Sequence, residues 1–186
     1  MIVGRVHSPI AAHLDEMIKA SYTLFDEDVC DRITDYDVIL YFDISGLDLM
    51  ETLFASCQSQ GLHLSMVVGF AHDRVLYKAS LVAREFYTHQ CVHLYHILLH
   101  EIKSNTNTMR EALMAHLHQL PHDDYLTLKK YIQYHLNASL AADALYVHRN
   151  TFNYRLDKAI AASGINVKVF PFAVLLHILF TSEELR

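Results

Sequence analysis

The hydrophobic period of this chain changes once, and that change limits its fold more than any other feature. Up to about residue 100, short β-branched runs alternate with helical stripes. "MIVGRV" (1–6), "DVILYFDI" (37–44) and "HLSMVVGF" (63–70) read as strands. Between and after them, helical patterns cover 10–24, 47–59 and 74–89, where Val75, Ala79, Val82 and Phe86 recur at helical spacing. A short strand at 91–93 leads into a helix over 94–103. The polar stretch "KSNTNT" (103–108) follows, and every later pattern is helical: 109–119, 122–136, 139–146, 150–163 and 172–181. Pro121, Asn137, Gly164 and Pro171 punctuate those helices. The expected fold class is α+β/mixed: an α/β layer domain over 1–105 and an all-helical domain over 106–186.

Composition narrows the class. With 52% hydrophobic residues in 186, the chain can bury a core and is not disordered. Its longest apolar run, "VFPFAVLL", is far short of the roughly 20 residues that span a bilayer. The N-terminus lacks the charged and apolar regions of a signal peptide. Cys30, Cys57 and Cys91 have no pair or metal spacing, which fits free thiols in a reducing cytoplasm. The net charge of −6 is uneven: residues 1–121 carry 8 basic against 15 acidic residues, and residues 122–186 carry 7 against 6. An acidic chain of this kind can still present one local basic face.

That face falls in "NASLAADALYVHRNTFNYRLDKAIAASG" (137–164). Ser139 can cap a short helix running to about Tyr146. "VHR" then makes a tight turn, and Arg149 or Asn150 opens a longer helix that Gly164 stops. Helix, tight turn and helix make a helix-turn-helix unit. Ala142, Leu145 and Val147 point inward, and Phe152, Leu156 and Ile160 form the apolar stripe of the second helix. His148, Arg149, Asn150, Thr151, Asn153, Tyr154, Arg155 and Lys158 are left around its start and its polar faces. Arg and Asn can pair bidentately with guanine and adenine edges. Thr, Tyr, Lys and helix N–H groups suit phosphates. The same pattern also describes a capped amphipathic helix pair with a solvated face, so spacing alone leaves both readings open.

The stretch "LKKYIQYHLNASLAADALYVHRNTFNYRLDKAIAASGINV" closely resembles the C-terminal helix-turn-helix domain of the PucR/CdaR transcriptional regulators. Leu128, Tyr131, Asn137, Ala142, Leu145, Val147, His148, Arg149, Asn150, Thr151, Tyr154, Arg155, Leu156 and Gly164 carry that resemblance, and Phe152 stands where the family usually has leucine. The resemblance implies a bacterial DNA-binding regulator with a unit similar to the Fis-type helix-turn-helix. Its partners would be a double-stranded DNA operator, a second copy of the chain and an unknown small-molecule effector, with no membrane and no cofactor. Arg149 and Asn153 would read bases, and Tyr154, Arg155 and Lys158 would anchor phosphates.

The front half is similar to the degenerate GGDEF-like domain of CdaR-type members. "DRITDYDVILYFD" looks like the hairpin that carries the signature in active cyclases. "LSMVVGFAHDRVLYKASLVAREFY" resembles the later strand and helix. Where a cyclase needs Gly-Gly-Asp/Glu-Glu-Phe, this chain has Thr34-Asp35-Tyr36-Asp37-Val38. Set against that family pattern, the domain is expected to be shortened at its N-terminus, with no separate sensor domain ahead of it.

Other chemistry is weaker. His89, His93, His96 and His100 are spaced 4, 3 and 4, as zinc-binding helical histidines can be, but the strand at 91–93 breaks the row and only Glu101 adds an acidic partner. Asp43 and Asp48 flank a turn and read best as helix-capping residues. Ser65 and Ser80 have no partnered His/Asp arrangement. Five ungrouped glycines make no phosphate loop. The apolar "VFPFAVLLHILF" (169–180) reads as a core or dimer-forming helix. No catalysis is expected. Without the two glycines, backbone cannot approach a nucleotide closely at the signature position. Incubation with GTP and Mg²⁺ is therefore expected to give no cyclic dinucleotide, and such a product would refute this reading.

Overall fold

The structure is a computed structural model and describes residues 1–25, 30–43 and 46–185. The chain divides into two compact units, Met1–Ile97 and Leu98–Arg186.

The first unit is built on a five-stranded sheet. Its strands are β1 (Ile2–His7), β2 (Cys30–Thr34), β3 (Asp37–Phe42), β4 (Ser65–Phe70) and β5 (Cys91–His93). Its helices are α1 (Ala11–Leu24), α2 (Leu47–Ser59), α3 (Asp73–Phe86) and the start of α4 (Leu94–Ser104). The strand order is β2-β3-β1-β4-β5. β1 lies antiparallel to both β3 and β4, β2 antiparallel to β3, and β5 parallel to β4. Alternating strands and helices therefore produce a mostly antiparallel sheet. Each of the first two crossovers skips a strand position, which the other connection fills, giving two interleaved split βαβ units. Among the described elements only α3 connects neighbouring parallel strands.

The core strands are greasy because both faces are covered. Ile2, Val3 and Val6 of β1, Val38 and Leu40 of β3, and Met66, Val67 and Val68 of β4 are all buried. On one face α2 approaches so closely that a Cβ at Gly4 would lie 2.9 Å from Met50 Sδ. On the other, α3 packs on β4 and β1, and a Cβ at Gly69 would lie 2.9 Å from Leu76 Cδ2. β2 is the exception, with an exposed outer edge of mixed polarity. Only the hairpin resemblance marks it in the sequence, and the structure makes that hairpin with Asp35 and Tyr36 at its turn.

The second unit is helical beyond the end of α4: α5 (Thr108–Leu117), α6 (His122–Gln133), α7 (Ala138–Ala144), α8 (Arg149–Ser163) and α9 (Phe170–Glu184). α6 packs against α7, α8 and α9. Its expected end at 136 moves back to Gln133, because His135 and Leu136 take positive φ of 55° and 63° and Leu136 N bonds to Tyr131 O at 2.9 Å. α7 is capped by Asn137, not Ser139: its side-chain oxygen accepts from Ser139 N and Leu140 N. α9 is longer than its apolar stretch suggested, because Pro171 lies in its first turn, where no N–H is needed. Among the described residues no helix is long and apolar enough to cross a membrane.

The polar stretch 103–108 is tied down by one carboxylate. Glu101 is fully buried, and its two oxygens accept from Met109 N at 2.6 Å and Arg110 N at 2.8 Å. These are two of the orphan N–H groups of α5, at the end where the helix dipole favours an anion. Glu101→Ala would leave both donors buried and unpaired. It is expected to cost about 2–4 kcal/mol in urea unfolding of the whole chain; a loss below about 0.5 kcal/mol, the usual surface-substitution range, would contradict the capping role.

Candidate nucleic-acid interface

The helix-turn-helix geometry starts with small residues. Ala141 and Ala142 of α7 are buried, with no side chain beyond Cβ, so α7 can lie close to α8. α7 stops at Ala144, two residues earlier than expected. Tyr146 takes φ 54° and ends up 97% exposed, and Val147 N returns to Ala142 O at 3.1 Å. The turn is thus 145–148, with Leu145 and Val147 half-buried beneath it. His148 is the cap of α8: its backbone is extended and its Nδ1 accepts from Asn150 N at 3.2 Å. An accepting Nδ1 puts the imidazole proton on Nε2, so the exposed ring edge is a donor. Gly164, at φ 69°, closes the helix at its far end.

The buried stripe of α8 is Phe152, Leu156, Ala159 and Ser163, whereas Ile160 is only half-buried. The 3.6-residue period carries the stripe through 159 and 163 and leaves 160 at its edge. Phe152 meets the Tyr131 ring of α6, centroid to centroid 6.1 Å. With that face fixed, Arg149, Asn150, Thr151, Asn153 and Tyr154 are all exposed at the first turns of α8. No acidic residue lies in the first turn, so nothing there repels an anion. Among the described residues Arg149 has no ion-pair partner.

The other two cations differ. Lys158 Nζ lies 3.3 Å from Asp124, whose side chain is 2% exposed, and Arg155 Nη1 lies 4.0 Å from Asp123. Both aspartates occupy the first turn of α6. Lys158 and Arg155 therefore have a structural role in joining α8 to α6. Neither aspartate was a candidate from sequence, since the pairing spans 32 and 34 positions. Tyr146 is hidden by its assignment to a helix, because nothing in the local pattern signals its left-handed backbone.

The histidine row does not form one face. His89 (φ 59°) precedes β5, His93 lies in β5, and His96 and His100 lie in α4. His93 Nε2 lies 3.3 Å from Glu51 Oε1, and His96 Nδ1 accepts from His93 N. Burial pushes both imidazoles below their ordinary value. Glu101 is committed to capping α5. Among the described residues no three His, Cys, Asp or Glu side chains converge as a metal site would require. Cys91, pushed up to about 12 mainly by burial, is a thiol at neutral pH. Asp43 Oδ1 accepts from Gly46 N just ahead of α2, and Ser80 Oγ donates to Tyr77 O within its own helix.

Residues 125–181 match the PucR C-terminal helix-turn-helix domain, from within α6 to within α9. A PucR-type helix-turn-helix domain is therefore present in this chain. The uncharacterized protein YxkF of Bacillus subtilis (strain 168) is 38% identical over 58 residues, which are 31% of this chain and 20% of that protein. The match thus spans about a fifth of that relative's length. The crystal structure of a regulator of polyketide synthase expression from Bifidobacterium adolescentis aligns with 99% of this chain and 80% of its own, at 20% identity and a TM-score of 0.45.

The contrast between paired and unpaired cations is measurable in the free protein. Lys158→Ala strands a buried carboxylate and is expected to cost about 1–3 kcal/mol, between the values for exposed and buried pairs. Arg149→Ala is expected to stay within about 0.5 kcal/mol of wild type. Equal urea-unfolding free energies for both variants would refute the distinction.

Proposed function

We propose that the chain is a cytoplasmic bacterial transcriptional regulator that binds operator DNA through the first turns of α8, without catalytic activity of its own. The observation that carries this reading is the exposed set Arg149, Asn150, Thr151, Asn153 and Tyr154 on a capped helix start, within the PucR-type segment. In a recognition helix that end enters the major groove. Arg149 and Asn153 are the base readers. His148, Tyr154, Arg155, Lys158 and the N–H groups of the first turn contact phosphates.

In this reading 106–186 is the DNA-binding domain, and 1–105 is a degenerate GGDEF-like domain for regulation or dimerisation. Supporting the latter, the hairpin β2–β3 and the pair β4–α3 fall where the resemblance places them. The active form is a homodimer, because one helix reads too few base pairs for a useful specificity ratio. Half-sites would then lie about one helical turn apart, or a multiple of it. A small-molecule effector acts on the front domain. The second reading is a protein-interaction or ligand-sensing module without DNA affinity. It is favoured by the pairing of Arg155 and Lys158 with Asp123 and Asp124, which thins the basic face.

Fluorescence anisotropy with labelled DNA from upstream of the gene, at several salt concentrations, separates the two. Wild type is expected to prefer that DNA over random duplex, with affinity falling as salt rises. Arg149→Ala is expected to cost about 1–3 kcal/mol at the specific site and to relax sequence preference. Equal affinity for random DNA, or unchanged binding by Arg149→Ala, would refute the assignment.

A further inference from the structure

A cavity of about 780 Å³ opens on the sheet face of the first unit that carries Arg5, Asp37 and Ile39, beside Tyr77 and Arg84 of α3. Two guanidiniums reach its floor around one carboxylate. Arg84 Nη2 donates to Asp37 Oδ1, and Arg5 Nη2 lies 3.7 Å from the same oxygen. Thr34 Oγ1 donates to Asp37 Oδ2 at 3.1 Å. Arg5 is only 7% exposed, and its guanidinium carbon stands 5.2 Å from the centre of the Tyr77 ring.

The charges on this floor do not balance. His7, 3.6 Å from Asp37, is held below its ordinary value first by burial and then by Arg84, which leaves it neutral at pH 7. Asp73 and Arg74, both on the lining, offset each other in the charge count, and Asp31, which hydrogen-bonds the Tyr41 hydroxyl, keeps its charge but lies outside the lining. One carboxylate thus faces two guanidiniums. The Nε atoms of Arg5 and Arg84 are buried and have no hydrogen-bond partner among the described residues. Burying a second guanidinium with an unused donor is costly unless something pairs with it. Arginine Nε and Nη donors are spaced to grip a carboxylate side-on. The remaining walls, Ile33, Tyr41 and Tyr77, are apolar or aromatic.

We infer that this cavity binds a small organic monocarboxylate, its carboxylate held by Arg5 and Arg84 and its apolar or aromatic body lying between Tyr41, Tyr77 and Ile33. A single negative charge matches the single excess positive charge of the lining residues, whereas a phosphate dianion would overcompensate it beside Asp37, Asp73 and the neighbouring Asp31. Only the assignment of this site as the effector site rests on the regulator reading.

The test uses the full chain and four probes: benzoate, phenylacetate, hexanoate and the neutral benzamide. NMR of the arginine Nε–H resonances follows each titration to about 10 mM, a concentration that detects millimolar affinity. At least one acid is expected to saturate and shift the Arg5 and Arg84 resonances, with benzamide weaker by about tenfold or more. Ile33→Asp adds a negative charge to the exposed wall, where folding is untouched, and is expected to weaken the acid by about tenfold, a repulsion of order 1 kcal/mol. Arg5→Met, which keeps the volume, is expected to abolish binding if the variant folds. The site is overturned if no acid binds, if benzamide binds as well as the acids, if inorganic phosphate binds more tightly than they do, or if Ile33→Asp binds the acid like wild type. Anisotropy with DNA is read separately. An acid that binds without changing DNA affinity refutes only the effector role, and wild type that binds no specific DNA refutes only the regulator reading.

Discussion

The burial of Phe152 and Leu156 against the neighbouring helices determines which way α8 faces. Once that stripe is against α6 and α7, the first turn can present only Arg149, Asn150, Thr151, Asn153 and Tyr154 to solvent. The tight turn at 145–148 and the His148 cap leave the residues at that end exposed. A helix start so arranged supplies N–H groups, a favourable dipole and bidentate side chains together. The rest of the second unit serves to hold this orientation, from the Asn137 cap to the left-handed stop at Gly164.

Electrostatics refine the picture. A chain with net charge −6 approaches a polyanion unfavourably at long range, so the proposed DNA binding would require a local concentration of cations. Two of those near α8, Arg155 and Lys158, are partly neutralised by the first turn of α6. Such pairs stiffen the junction between the helices, yet Lys158 keeps 56% of its side-chain surface exposed and can still reach a phosphate. Arg149 carries its charge unshared by the described residues. The same contrast of shared and unshared charge recurs in the first unit, where Asp37 answers two guanidiniums at once.

The local parts of this structure were legible and the long-range parts were not. The start of α8 is encoded within a few residues: a cap, a polar turn, then Phe152 and Leu156 at helical spacing. Gly164 marks the end because left-handed backbone favours glycine. Where two neighbours competed for one role, pattern reading chose wrongly, as with Asn137 over Ser139. The non-glycine left-handed residues His135, Leu136 and Tyr146 also shortened two helices without warning. The pairing of Lys158 with Asp124, and of Arg5 and Arg84 with Asp37, joins residues distant in the chain, and no periodicity reports such contacts. Nor does alternation of strands and helices reveal that the first two crossovers each skip a position and make the sheet mostly antiparallel.

Whether the first turns of α8 read DNA is tested most directly without assuming an operator. The full-length chain would be used to select duplexes from a random pool, with Arg149→Ala run in parallel. The account predicts that wild type enriches a two-fold symmetric motif, with half-sites about one helical turn apart or a multiple of it, and that Arg149→Ala loses preference at one position of each half-site. No enrichment by the folded wild-type protein, or the same motif from both proteins, would contradict it.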